Sequence, residues 1–282
     1  MKTFTSKKNI NQTISDLKNS KKSIGFVPTM GALHDGHLSL IKQCKAENDI
    51  CVVSIFVNPT QFNDKNDLKN YPRTLEADLQ KIQNYCDIAF TPDENEIYGN
   101  LQNTETFDFG MLDKVMEGKH RPGHFNGVAQ IVSLLFDIVN PDKAYFGKKD
   151  FQQLTIIKKL VKIKKYNIEI IPCEIIREKS GLAMSSRNER LTPALRKNAA
   201  EIYKFLKLSL NQKDFLGPLQ LTRYVINNIN ANPDIEVEYF EIVNDETLQK
   251  VEKWRDAKHI TGCIAVYTGG VRLIDNIKYK LF

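Results

Sequence analysis

Phe26-Val-Pro-Thr-Met-Gly-Ala-Leu-His-Asp-Gly-His-Leu-Ser-Leu-Ile41 is the stretch on which the fold class turns. Its leading residues, Ile24 to Val27, are apolar and uncharged, which predicts a buried strand. Pro28, Gly31 and Gly36 then punctuate a turn, and Leu38, Leu40 and Ile41 begin a helical pattern that runs towards Cys44. A strand, a glycine-bearing turn and a helix form the opening unit of a nucleotide-binding α/β fold. The N-terminus of such a helix leaves backbone N–H groups unpaired and carries partial positive charge, so it suits a phosphate. His34 and His37 stand at that junction, where imidazole N–H groups can donate to a phosphate gaining negative charge in a transition state. The plainer alternative is that both are local caps or solvated loop residues.

Composition bounds the rest. At 282 residues the chain has room for one large or two modest domains. An apolar fraction of 41% with mixed charges is that of an ordinary globular protein. Met1 to Ser20 carries lysines but no apolar segment of a secretory leader. No apolar run approaches the ~20 residues that span a bilayer, so no membrane partner is expected. The cysteines, Cys44, Cys51, Cys86, Cys173 and Cys263, are widely spaced and lie mostly in apolar runs, which predicts reduced core thiols in a cytoplasmic protein. The net charge of +6 suits either nucleic acid or a small anionic substrate. The densest basic run, Lys158 to Lys165, follows the helical pattern Leu154, Ile157, Leu160, Val161 and reads as a solvated helix face. It has no interleaved aromatic residues for base stacking, and no nucleic-acid partner is expected.

Taken in order, Ile10, Ile14 and Leu17 predict a helix within residues 1–22. Ile50 to Val57 is a β-branched, uncharged run typical of an interior parallel strand. It ends in Asn58-Pro-Thr-Gln61-Phe62, and in open α/β sheets ligands gather at the carboxyl ends of strands. Asn58 and Gln61 can hold a small polar substrate there through their amides; the alternative is a plain Asn-Pro turn. Thr74 is a candidate N-cap for a helix with Leu75, Leu79 and Ile82 facing inward. Ile88 to Phe90 predicts a short strand, and residues 93–119 read as irregular with room for one strand.

The basic, glycine-bearing stretch Glu117 to Gly127 precedes a helix expected over Val128 to Asn140. It either suits an anion or is a set of turns. Asp142 to Phe146 predicts another strand, after which Lys149 can neutralise a phosphate and Asp150 can hold a ribose hydroxyl or a metal. A strand over Ile168 to Cys173 leads to Ser180 to Asn188, where two hydroxyls and an arginine beside a glycine can grip a triphosphate. There follow a helix from Thr192-Pro193 to about Leu210, a second over Pro218 to Asn228 and a half-exposed alternating strand over Ile235 to Val243. A hairpin around Thr268-Gly-Gly270 completes the chain. The change from strand–helix alternation to helices followed by antiparallel strands marks a domain boundary near residue 176.

Six separated blocks stand in one order: His34-x-Gly-His37, Val57-Asn-Pro-Thr-Gln-Phe62, Tyr71-Pro-Arg-Thr74, Arg121-Pro-Gly-His-Phe-x-Gly-Val128, Phe146-Gly-x-Lys-Asp150 and Met184-Ser-Ser-Arg-Asn188. The first resembles the signature of the adenylyl-transferring α/β superfamily, and the last resembles that superfamily's Lys-Met-Ser-Lys-Ser loop. Together they resemble the pantothenate synthetase family over about residues 24–190. The resemblance implies an α/β protein. A Rossmann-like parallel-sheet domain over residues 1–175 would bind nucleotide and pantoate, and a smaller α+β C-terminal lid domain would span residues 176–282. It implies ATP-dependent ligation of pantoate to β-alanine through a pantoyl-adenylate, releasing AMP and pyrophosphate, with Mg²⁺ and a homodimer.

By motif position the resemblance places Met30, Gly31, Ala32, Leu33, His34, Asp35, Gly36 and His37 on ATP. Gly147, Lys148, Lys149, Asp150, Ile176, Met184, Ser185, Ser186 and Arg187 join them. Gln61 and Gln153 hold pantoate, and Gln61 also reaches β-alanine. His37 is the main catalytic histidine with His34 beside it, and Lys149 and Arg187 complete the catalytic set. One block departs from the family's pattern: the acidic run tied to Mg²⁺ is here Leu75-Glu76-Ala77-Asp78, interrupted by an alanine. Asp78, with Glu76, is the metal candidate, the ion being held mostly by ATP phosphates and water. Two other readings stand beside the ligase. A nucleotidyltransferase of the same superfamily differs in releasing no AMP with amide formation, and an RNA-binding protein differs in its salt-dependent RNA affinity.

Overall fold

A computed structural model of the chain describes residues 1–99 and 105–279. In chain order, β1 (Lys2–Phe4), α1 (Lys7–Asn19), β2 (Ile24–Thr29), α2 (Asp35–Glu47) and β3 (Ile50–Ile55) come first. A 3-10 turn over Pro59–Gln61 leads to α3 (Lys65–Lys69), α4 (Leu75–Ile82), β4 (Ile88–Phe90), α5 (Glu94–Tyr98), α6 (Met116–His120) and α7 (His124–Val139). Then come β5 (Lys143–Gly147), α8 (Phe151–Lys164), β6 (Glu169–Cys173) and a 3-10 turn over Ser186–Arg190. The last elements are α9 (Pro193–Gln212), α10 (Pro218–Asn230), β7 (Glu236–Asn244), β8 (Ile260–Thr268) and β9 (Val271–Tyr279). The chain divides into two compact units. The first holds Met1–Phe109, Arg121–Lys148 and Ile156–Glu174; the second holds Gly110–His120, Lys149–Thr155 and the chain from Ile175 onward.

Among its described residues the first unit carries a six-stranded parallel sheet in the order β1-β4-β3-β2-β5-β6. This is the Rossmann-like arrangement. Ile24, Phe26, Val27, Val52 and Val53 are fully buried, which is why the inner strands read as continuous apolar runs. From β2 the chain winds out to β3 and β4 on one side, then returns to β5 and β6 on the other. The strand order therefore reverses between β2 and β5, the place where such sheets open a ligand crevice at their carboxyl ends. Gly25 lets α2 lie close on β2, because a Cβ there would meet Cys44 Sγ at 2.5 Å and Asn48 Nδ2 at 2.4 Å. That close approach seats the C-terminal end of α2, at Cys44 and its C-cap Asn48, on the sheet.

Several boundaries differ from the sequence reading. β1 was not anticipated; three residues carry no usable period, and the strand is defined by its pairing with β4. β3 ends at Ile55, two residues short of the expected end. The stretch 93–119 holds α5 and α6 and, among its described residues, no strand; its residues 100–104 lie outside the described chain. α7 begins at His124 rather than Val128, because Gly123 (φ 81°) takes the left-handed cap. Ile82 is fully buried as expected, but Leu75 is exposed at the first turn of α4. The lysines Lys158, Lys159, Lys162 and Lys165 are solvent-facing, and all five cysteines are free and buried.

In the second unit β7-β8-β9 form an antiparallel sheet. Gly269 (φ 53°) and Gly270 (φ 74°) supply the two consecutive left-handed residues that a tight two-residue hairpin requires. Alternate residues of the strands feed two cores. Phe240, Ile242, Ile264 and Val266 pack with Leu206, Leu221, Val225 and Ile229 of α9 and α10. Tyr239, Val243, Cys263 and Ala265 pack with Met116, Leu248 and Phe151. β7, expected to be half exposed, is thus covered on both faces, and a bulge between Val237 and Tyr239 adjusts its register. Gln152 ties the inserted segments together: its Oε1 accepts the Glu117 N–H at 3.0 Å, and its Nε2 donates to the Leu112 and Val115 carbonyls at 2.7 and 2.9 Å. Among the described residues no helix is long and apolar enough to cross a membrane.

Candidate active site

After β2 the chain turns through Met30 to His34 into α2. Gly31 (φ 80°) and Ala32 (φ 50°) are both left-handed, which costs an L-residue such as alanine roughly 1–2 kcal/mol. Asp78 of α4 offsets that cost. Its side chain is buried, 2% exposed, with Oδ2 accepting the Ala32 N–H at 2.8 Å and Oδ1 the Leu33 N–H at 2.7 Å. The Thr74 hydroxyl donates to the same carboxylate at 3.2 Å, and Lys81 Nζ donates to the Leu33 carbonyl. The positive φ favours glycine at Gly31, and a Cβ there would also lie tight against Asp78 Oδ2, at 3.1 Å.

His34 is the N-cap of α2. Its Nδ1 accepts the Gly36 N–H at 3.1 Å, while His37 Nδ1 accepts the His34 N–H at 3.4 Å. The rings lie side by side with centroids 4.1 Å apart and planes tilted by 33°. With Nδ1 accepting in both, each neutral imidazole carries its hydrogen on Nε2. The cap reading and the phosphate-donor reading of these histidines therefore use different nitrogens. Asp35 is exposed in the first turn of the helix.

Past the end of β3, Gln61 is held from two sides. Its carbonyl accepts from His124 Nδ1 at 2.7 Å and from Arg121 at 3.3 Å, and Arg121 in turn reaches His124 Nε2 at 3.2 Å. Two residues of the basic loop before α7, Arg121 and His124, thus bind the backbone of the turn after β3. Gly127 admits the close approach, since a Cβ there would lie 2.5 Å from the Thr60 carbonyl oxygen. The side chain of Gln61 accepts from Asn58 Nδ2 at 3.2 Å and donates to Met30 Sδ at 2.8 Å. The first and second sequence blocks meet at that contact. At the end of β5, the Lys148 N–H donates to the Cys173 carbonyl at 2.8 Å beyond Gly147, and its ammonium pairs with Glu174.

The second unit holds the remaining candidates. The Lys149 carbonyl accepts from Asn276 at 2.9 Å, and its ammonium lies 3.7 Å from Asp150. Gln153 is half-buried on the first turn of α8, its side chain without a hydrogen bond among the described residues. Ile176 and Met184 are joined by a backbone hydrogen bond of 3.0 Å. Ser185 caps the following 3-10 turn, its hydroxyl accepting the Arg187 N–H at 3.3 Å. Ser186 lies buried in that turn. Asn188 anchors it by donating to Glu178 at 2.8 Å and to the Ala183 carbonyl at 3.0 Å, and Arg196 holds Glu178. Arg177 closes the base with two bonds to the buried Asp275, at 2.6 and 3.0 Å.

For a metal, the donor set decides. Both oxygens of Asp78 accept backbone N–H groups, and among the described residues no group of three or more His, Cys, Asp or Glu side chains is placed to hold an ion. Among the described residues no protein cage for an ion is built, and a magnesium brought by a nucleotide would be held chiefly by phosphates and water. Sequence reasoning missed the clamp of Asp78, Thr74 and Lys81 and the grip of Arg121 and His124 on Gln61. The only local trace was an acidic residue in a first helical turn and a His-Phe pair opening an apolar helix.

A sequence model of the family described as pantoate-beta-alanine ligase matches residues 2–278. The pantothenate synthetase of Azobacteroides pseudotrichonymphae is 57% identical over 267 residues, covering 93% of this chain and 94% of that protein. That of Bacteroides thetaiotaomicron is 50% identical over 281 residues, covering 99% of each. Among solved structures, pantothenate synthetase from Thermus thermophilus superposes with a TM-score of 0.93 at 35% identity over the whole of both chains. Pantoate-beta-alanine ligase from Francisella tularensis, complexed with beta-gamma ATP and beta-alanine, gives 0.83 at 40% identity over 99% of this chain and 97% of that one. With the match running nearly end to end and the His-x-Gly-His turn built as described, the chain belongs to the pantoate-beta-alanine ligase family.

Proposed function

We propose that the chain is an ATP-dependent ligase that condenses pantoate with β-alanine, releasing AMP and pyrophosphate. The observation that carries this reading is the histidine pair at the start of α2, each ring with Nδ1 accepting a backbone N–H of the turn, so that Nε2 is the nitrogen that carries the proton. A carboxylate is a poor acyl donor until it gains a leaving group. In this reading the pantoate carboxylate attacks the α-phosphorus of ATP and pyrophosphate departs. Charge accumulates on the α-phosphate and the leaving group, where His37, His34, Lys149 and Arg187 act by position and electrostatics. The β-alanine amine then attacks the acyl-adenylate carbonyl, forming the amide and expelling AMP.

Gln61, Gln153 and Asn58 belong to pantoate and β-alanine in this proposal. The turn from Met30 to His37, Gly147 to Asp150, Ile176 and Met184 to Arg187 belong to ATP. Residues 1–175 serve as the nucleotide- and pantoate-binding domain and residues 176–282 as the lid. Magnesium, brought by the nucleotide, and a homodimer enter on family resemblance. A cytoplasmic location is supported by five reduced, buried thiols.

The experiment is AMP release from ATP and Mg²⁺, with pantoate and β-alanine supplied together and each omitted in turn. AMP formation that requires both establishes the ligase. Folded protein that forms none moves the nucleotidyltransferase reading to first place.

A further inference from the structure

We infer that Tyr98, on α5, is a positioning residue that locks the amide of Gln61 so that it offers N–H, not C=O, to an acceptor oxygen of the hydroxy-acid substrate. The inference rests on the reading of Gln61 as a pantoate-binding residue.

Asn58 is the middle of the relay. It is 1% exposed, and every polar atom of its amide is bonded. Its Oδ1 accepts from the Tyr98 hydroxyl at 2.5 Å, the Thr60 hydroxyl at 3.1 Å and the Thr60 N–H at 3.4 Å. Its Nδ2 donates to the Gly127 carbonyl and to Gln61 Oε1, both at 3.2 Å. The backbone N–H of Thr60 can only donate and the carbonyl of Gly127 can only accept, so the Asn58 amide has one allowed orientation. Gln61 then has one as well: its oxygen faces Asn58, and its nitrogen faces the turn after β2. There Nε2 meets Met30 Sδ, a weak acceptor, which leaves amide donor capacity for a ligand at a residue only 8% exposed.

Tyr98 supplies the shortest of the three bonds on Asn58 Oδ1. Burial pushes its phenol above the ordinary tyrosine value, which keeps it protonated, and therefore a donor, throughout the neutral range. Asp93 fixes the start of α5 by accepting the Glu96 N–H at 2.7 Å, and the Tyr98 ring lies against Phe56. A phenylalanine at position 98 would keep this packing and lose only the hydroxyl.

The test is steady-state kinetics of the full chain, varying pantoate, β-alanine and ATP separately. Tyr98→Phe is expected to raise KM for pantoate about five- to tenfold, the range of one lost hydrogen bond, with kcat and KM for ATP within about twofold of the parent. Asn58→Asp keeps an acceptor for Tyr98 and Thr60 but turns a second oxygen towards Gln61 Oε1. It is expected to raise the same KM further, and it decides the question should Tyr98→Phe not fold. In a Gln61→Ala background, Tyr98→Phe is expected to change nothing more. An unchanged pantoate KM in Tyr98→Phe overturns the relay, as does a parallel rise in every KM with a lowered melting temperature. If Gln61→Ala itself leaves pantoate KM unchanged, the assignment of Gln61 falls first and the relay with it.

Discussion

The carboxylate of Asp78 accepts the backbone N–H of Leu33 at 2.7 Å, across 45 residues of chain. A first-turn residue of α4 thereby holds the loop that carries His34, including an alanine kept in left-handed geometry. Asp78→Asn replaces one of the two accepting oxygens with a donor that faces a donor. We expect a loss of about 1–3 kcal/mol in stability by urea denaturation and a fall of at least about tenfold in AMP formation. Stepping Mg²⁺ upward should restore none of the activity; recovery at high Mg²⁺ would show that the residue serves the metal instead.

His37→Ala removes a donor proposed for the adenylation transition state while leaving the helix cap on His34 in place. Pyrophosphate exchange dependent on pantoate should fall ~10²–10³-fold, with a melting temperature close to the parent's. Near-normal exchange by the folded variant would remove His37 from the chemistry.

Gly127→Ala places a methyl 2.5 Å from the Thr60 carbonyl oxygen, against backbone that has little room to yield. The expected cost is about 1–3 kcal/mol, with pantoate KM rising more than ATP KM because the displaced turn carries Gln61. Equal changes in both constants would count against Gly127 acting through that turn.

Arg177→Met leaves the buried carboxylate of Asp275 without its bidentate partner. Unfolding by urea should show a loss of about 3–5 kcal/mol. A smaller loss would mean that Asp275 finds water on relaxation.

The thiols give a pH test. Burial pushes Cys86 up to about 12 and Cys173 up to about 11, against roughly 8.5 for an unfolded thiol. A thiol group with a raised folded value contributes fully below 8.5 and loses that contribution as pH climbs towards the folded value, since the unfolded chain ionises first. Stability should therefore decline from about pH 8.5 upward. A thiol reagent at pH 8 should label none of the five cysteines in the native protein and all five in denaturant.

The sequence made plain those parts whose residues repeat on one period. β2 and β3 are uncharged runs because both sheet faces are covered, and α2 shows the spacing of its buried Ile41 and Cys44. Lys2–Phe4 and the five-residue helices α5 and α6 fall below the length at which a period shows. Asp78 in a first helical turn reads as a complement to the helix dipole. Its real target lies across the fold, and no spacing rule reaches it. Likewise His34 and His37 were legible as functional residues, whereas the division of labour between their ring nitrogens is a matter of three-dimensional hydrogen bonding.

The second unit draws Met116 and Phe151 into a core with Tyr239, Val243, Cys263 and Ala265. On the ribosome, at ~5–20 residues per second, these early apolar side chains emerge on the order of ten seconds before the strand that completes their cluster. This core therefore cannot close until the strands carrying Tyr239, Val243, Cys263 and Ala265 have been made. A gene fragment beginning at Ile175 would deliver a sheet with one apolar face bare.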